Sequence, residues 1–126
     1  MIDALFRSED YQLARRLLDA TVLRHQAIGA NLANAETPGY KRVDLAPNFA
    51  VQLKAAVERG EVGAKTPLPM IAEDLTARAA RPDGNNVEFE KELLALGQNN
   101  VDHAFLTQVI STNLRNLRTA IVGQGS

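Results

Sequence analysis

Cysteine is absent from the 126 residues, and so is tryptophan. No disulfide can staple this chain, and no stray thiol can react in an oxidising compartment. Aromatics are few, four Phe and two Tyr. Large core anchors are therefore scarce, and alanine makes up much of the hydrophobic content. A chain this long is at most one domain, and with so little bulky apolar material it is marginal as a lone monomer. An excess of either charge is missing too. The net charge is −1, and residues 1–42 set Arg7, Arg15, Arg16, Arg24, Lys41 and Arg42 against Asp3, Glu9, Asp10, Asp19 and Glu36. Nothing here invites a nucleic acid. No long apolar run exists, so a membrane-spanning helix is excluded. Asp3, Glu9 and Asp10 also interrupt the basic-then-apolar plan of a cleaved secretory signal.

What the chain does have is helical periodicity at both ends. Ser8 is a fair N-cap, with Glu9 and Asp10 in the first turn where negative charge suits the helix dipole. From there to Glu36, Ala14, Leu18, Thr21, His25, Ile28, Leu32 and Ala35 alternate four and three apart, the 3.5-residue repeat of a coiled-coil seam. Near the other end, Asn85 or Asn86 is placed to cap a second long helix, with Glu88 in a capping-box position. Its seam runs Phe89, Leu93, Leu96, Asn99, His103, Leu106, Ile110, Asn113, Leu117 and Ala120. Ile2, Leu5 and Phe6 form an apolar cluster ahead of the first helix, either a helix extension or a docking tip.

The middle is less regular. Lys41 to Leu45 reads as extended, and Pro47 suits a first helical turn with Phe49, Leu53, Ala56 and Val57 on one face before Gly60 stops it. Gly60 to Pro69 has the composition of a linker or disordered loop, and Met70 to Arg81 is ambiguous. The fold class that follows is mainly α. Long N- and C-terminal helices pair as a coiled-coil-like hairpin, in either direction, around an irregular middle segment with one short helix. We expect residues 1–42, 43–84 and 85–126 to act as one structural unit.

Between the first helix and the middle lies a joint. Thr37 precedes proline and is pushed toward extended geometry, while Pro38 and Gly39 suit the centre of a type II turn. Asn31 and Asn34 are mediocre helix formers whose amides bond nearby backbone or a neighbouring helix. Catalytic chemistry finds no purchase. His25 and His103 lack ligand-set spacing, so a packed histidine is the better account of each. Glu88, Glu90 and Glu92 do not converge on one helix face and read as a solvated helix start. Ser8, Ser111 and Ser126 have no nucleophile-elbow context, and no phosphate loop is present. Lys41 and Arg42 read as a solvated basic spot, with a contact to an acidic neighbouring subunit as the alternative. No catalytic residue, metal site, cofactor, nucleic acid or small-molecule substrate is expected.

The run Asn31-Leu32-Ala33-Asn34, followed by Thr37-Pro38-Gly39-Tyr40, resembles the N-terminal motif of bacterial flagellar rod, hook and hook-associated proteins. The short length and the second landmark, Asp83-Gly84-Asn85-Asn86-Val87, narrow the resemblance to rod proteins of the proximal basal body. It implies a structural subunit that leaves the cell unfolded through a type III export channel, with no cleaved signal. It also implies periplasmic self-assembly through the terminal helices and transmission of torque. The implied partners are copies of itself, other rod proteins, the inner-membrane ring with its rod adaptor, and the export apparatus. In that reading Asn31, Leu32, Asn34, Thr37, Pro38, Gly39 and Tyr40 form the assembly motif. Leu18, Ile28, Leu96, Leu106, Ile110 and Leu117 are expected to line the helix seams, and Asp83 to Val87 to cap the second helix. A soluble helical adaptor or chaperone-like module, holding a partner helix in an exposed seam, remains the alternative.

Overall fold

The computed structural model describes the backbone of residues 9–78 and 80–124, and the side chains of these except 113, 114 and 116–124. The apolar cluster Ile2, Leu5 and Phe6, the cap Ser8, and the seam side chains Asn113, Leu117 and Ala120 lie outside the described residues. In chain order come α1 (Glu9–Ala33), β1 (Val43–Leu45), α2 (Pro47–Arg59), β2 (Ile71–Glu73) and α3 (Phe89–Gln124). The expected mainly helical hairpin is what forms.

Helix α1 opens on Glu9 and Asp10, as its dipole favours, and closes at Ala33, earlier than the expected Glu36. Beyond Ala33 the backbone tightens. Asn34 N–H still reaches Ala30 O at 3.0 Å, but Ala35 N–H bonds Leu32 O at 3.3 Å and Thr37 N–H bonds Asn34 O at 3.0 Å, both three residues back. The Asn34 amide competes for the same ground by donating to Ala30 O at 2.8 Å. Helix α2 begins with Pro47 and ends at Gly60, whose φ of 66° is left-handed. Gly60 N–H bonds Val57 O at 3.1 Å and Glu61 N–H bonds Ala56 O at 2.9 Å, which together make a Schellman stop.

Helices α1 and α3 run antiparallel, because Asn31 meets Glu92 while Thr21 meets Asn99 and His103. At 1.5 Å per residue they are about 37 and 54 Å long. Of the expected seam on α1, Ala14, Thr21, Ile28 and Ala35 are buried and Leu18 and Leu32 half-buried, while His25 is exposed. On α3 the inner face carries Glu92 and Asn99, both buried, with Leu96, Leu106 and Ile110 half-buried. Phe89 and Leu93, assigned to the seam by spacing, point outward at 53% and 46% exposure. The inner face departs from the expected one only at its start, where Arg42 pairs with Glu92.

The main apolar core is small. Ala20 of α1 packs with Phe49, Leu53 and Ala56 of α2 and with Val62, flanked by Leu13, Leu17 and Leu45. Strands β1 and β2 pair antiparallel in the register Val43 with Glu73, Asp44 with Ala72 and Leu45 with Ile71. The pairing is extended by Ala46 N–H to Met70 O and Asp74 N–H to Arg42 O. No helix among the described residues is long and apolar enough to cross a membrane.

Residues 60–69, read from composition as a linker, are anchored. Val62 and Thr66 are buried. The nearly buried Arg16 side chain donates from Nε to Thr66 O and from Nη2 to Ala64 O, each at 3.1 Å. Arg16→Ala leaves two carbonyls without a charged donor, so we expect a loss of about 2–3 kcal/mol. The exposed neighbour serves as control, with Arg15→Ala staying within about 0.5 kcal/mol. Urea unfolding of both variants checks the contrast.

Candidate functional site

The two stretches that stand out in the sequence, 37–40 and 81–87, meet at the elbow. In the first, Tyr40 N–H closes onto Thr37 O at 3.2 Å, with Pro38 and Gly39 at the centre. Gly39 has φ of 77°, the positive value that the second central position of a type II turn demands. Asn34 braces this turn by accepting Thr37 Oγ1 at 3.2 Å. In the second, Gly84 N–H reaches Arg81 O at 2.8 Å, Gly84 has φ of 87°, and Asp83 Oδ1 accepts Asn85 N–H at 3.0 Å. That last bond holds the Asp83 carboxyl below the usual carboxylate range, helped by Arg81.

The turns lock together backbone to backbone. Gly39 N–H donates to Asp83 O at 2.8 Å. A Cβ on Gly84 would stand 3.2 Å from Gly39 Cα, so only glycine permits this approach. Fully buried Asn85 donates from Nδ2 to both Asn34 O (2.8 Å) and Thr37 O (2.9 Å), adding a second bond to carbonyls that already accept Thr37 N–H and Tyr40 N–H. Its Oδ1 accepts Val87 N–H at 2.7 Å, and Val87 is itself buried. Asn86 Oδ1 accepts Arg42 N–H at 2.7 Å, Arg81 Nη2 donates to Ala35 O at 2.6 Å, and Lys41 Nζ donates to Gly84 O.

This corrects the expected role of Asp83 to Val87. Helix α3 starts only at Phe89, and neither Asn85 nor Asn86 caps it. Their side chains serve the first turn and the segment just after it, because the residues ahead of α3 run beside both. Lys41 and Arg42 are likewise engaged and not merely solvated.

Beneath the turns sits a knot of polar side chains. Fully buried Asn31 uses every hydrogen-bonding position of its amide. Its Nδ2 donates to Val43 O (2.8 Å) and Glu92 Oε2 (3.2 Å), and its Oδ1 accepts Val43 N–H (2.9 Å) and Tyr40 O–H (3.0 Å). Arg42 donates from Nε to Glu92 Oε1, and from Nη1 to Asp74 Oδ2 at 2.7 Å and Asp44 Oδ2 at 3.1 Å. Glu92, expected as a solvated member of an acidic helix start, is therefore buried and paired. Burial opposes the charge on Arg42, but the bond to Glu92 and the charges of Glu92 and Asp44 outweigh it and raise its pKa. The Tyr40 phenol is pushed up by burial and then by the Glu92 charge. Asp74 is held below its ordinary value by the Thr76 hydroxyl first, then by Thr76 N–H and Arg42, against a smaller cost of burial.

Further along the helix pair, Asn99 Nδ2 donates to Thr21 O at 2.8 Å. The Thr21 hydroxyl donates to Leu18 O at 2.7 Å and lies 3.0 Å from His103 Nδ1. Around the knot the polar groups answer one another. The small cavity beside it, about 200 Å³ between Arg42, Asp74, Lys91 and Glu92, has its charges already matched. The arrangement is suited to fixing an angle between segments. Nothing in it is poised to transform a substrate.

No protein-family model matches the chain. It is similar, over nearly its whole length, to curated proteins named Flagellar basal body rod protein FlgB. That of Escherichia coli (strain K12) is 25% identical over 138 aligned positions, covering 96% of this chain and 97% of that protein. The Proteus mirabilis (strain HI4320) protein is 28% identical over 142 positions, covering 99% and 100%. The Borrelia hermsii protein is 27% identical over 128, covering 86% and 93%.

Two measurements probe the elbow. Gly84→Ala adds a side chain at positive φ and within 3.2 Å of Gly39 Cα, and we expect a loss of about 1–3 kcal/mol in chemical unfolding. Acid titration reads Asp74. Its pKa is lower folded than unfolded, so its contribution is whole above the unfolded value of about 3.9 and disappears as pH falls through the lower folded value. Asp74→Asn then flattens the decline of Tm over that acid range and lowers Tm at pH 7.

Proposed function

The chain resembles flagellar basal-body rod proteins from end to end, and from that likeness we propose that it is a structural subunit of the flagellar rod at its proximal end. In this reading α1 and α3 pack against copies of the same chain and against other rod proteins, and the packed helices carry torque. The inner-membrane ring with its rod adaptor lies at its base, and the export apparatus delivers it to the periplasm without a cleaved signal peptide. Full-length similarity to proteins that bear the rod name is the observation that carries this reading.

Physical features support it. A shaft element needs a fixed angle between its helices and the material that leaves them, and the interlocked turns supply one through backbone bonds and short side chains. Helix α3 also keeps Leu94, Val101 and Phe105 at 65–75% exposure. So large an apolar stripe on a small chain suits a neighbour and not water. The absence of cysteine suits an oxidising destination.

Fractionation of flagellated cells into cytosol, periplasm and basal bodies is the test. We expect the chain in purified basal bodies. Recovery from the cytosol alone would overturn the proposal and favour a helical adaptor. Gly39→Val strains the positive φ of the first turn, and Asn34→Leu removes its brace. Both variants should still be exported yet fail to enter basal bodies, and normal motility in both would remove the elbow from the mechanism.

A further inference from the structure

A recess of about 660 Å³ opens between α1, α2 and α3. Leu13 and Leu17 of α1, Leu53 and Val57 of α2, and Phe105 and Leu106 of α3 line it. Val57 is 44% and Phe105 66% exposed there, so the recess faces solvent. Its lining carries three charged side chains, Arg24, Lys54 and Asp102. Arg24 leans on Asp44, whose Oδ1 lies 3.7 Å from its Nε. Lys54 on the α2 bank and Asp102 on the α3 bank form no ion pair among the described residues. Asp102 Oδ1 accepts the Gln98 amide at 3.1 Å, a neutral donor that leaves its charge unanswered.

We infer that this face pairs, in the free subunit, with the same face of a second copy across a two-fold axis. Charge selects the occupant. A recess of a single sign would call for a segment of the other sign. Here a cation and an anion, each without an ionic partner, stand on opposite banks. The surface that answers both at once is an identical one turned about. A two-fold contact repeats every pairing, so Lys54 of each copy meets Asp102 of the other.

The apolar parts match in the same way. Phe105, two-thirds exposed, supplies a knob on each copy. The hollow formed by half-buried Leu13 and Leu17 with buried Leu53 receives the knob of the other. Pairing therefore removes two exposed aromatic rings and two open recesses from water together. This goes beyond the rod reading and holds or fails separately from it, because the purified chain alone shows it.

Sedimentation equilibrium of the purified full-length chain, from low micromolar to submillimolar concentration, is the test. We expect a reversible monomer–dimer equilibrium with a micromolar dissociation constant. Lys54→Glu or Asp102→Lys sets two like-charged pairs across the axis, so each should weaken the dimer about tenfold or more. Both changes in one chain should bring the dissociation constant back to within about threefold of the starting value. Phe105→Ser removes the knob from an exposed position, and should weaken the dimer about tenfold at unchanged helix content by circular dichroism. A monomer at every concentration, no recovery in the combined charge variant, or growth past the dimer into open-ended assemblies (a head-to-tail contact) would each overturn the inference.

Discussion

The pairing of Arg42 with Glu92 is the constraint around which the rest of the elbow is arranged. Glu92 is withdrawn from water on the inner face of α3. An ionised carboxylate in such a place costs several kcal/mol unless answered by charge and hydrogen bonds. Arg42 answers it, and Asn31 adds a second donor from α1. The end of α1, the residue before β1 and the start of α3 thus meet at one carboxylate. Pairs of this kind add little net stability over an apolar substitute, yet they punish the wrong register severely. A slip of α3 by one residue would strand both charges.

The turns above the knot are joined by hydrogen bonds in the same way. Past the end of α1 the carbonyls of Asn34 and Thr37 each accept one backbone N–H and keep a second lone pair for another donor. Asn85 reaches across to supply the donors, which requires the second turn to lie against the first. At that distance only glycine fits at position 84. Local backbone chemistry, not apolar burial, thereby sets the geometry, which suits a chain with so few bulky side chains.

How much of this was legible in the sequence depends on the range of the interaction. The turn at Pro38 and Gly39, the start of α2 at Pro47 and its stop at Gly60 are written in neighbouring residues, and each formed as read. On α3, Leu96, Asn99, Leu106 and Ile110 turned inward at the expected spacing, while His103, placed on the same seam, is exposed. Glu92 was misread because its neighbours, Glu88 and Glu90, make it look like one of a solvated set. Its partner lies fifty positions earlier, beyond any local pattern. Asn85 was misread for a related reason, since a capping signature is local while its true acceptors belong to residues 34 and 37. Composition also misjudged residues 60–69, where one buried arginine from α1 outweighs a run of turn formers.

The antiparallel course of α1 and α3 gives the molecule two unlike poles. One holds the knot and both turns, while the start of α1 and the far reach of α3 leave together from the other. Labels attached near Glu9 and near Gln124 would therefore both stand clear of the elbow, some 30–50 Å from it along their helices at 1.5 Å per residue. Such a pair would report on each other's distance without crossing the joint.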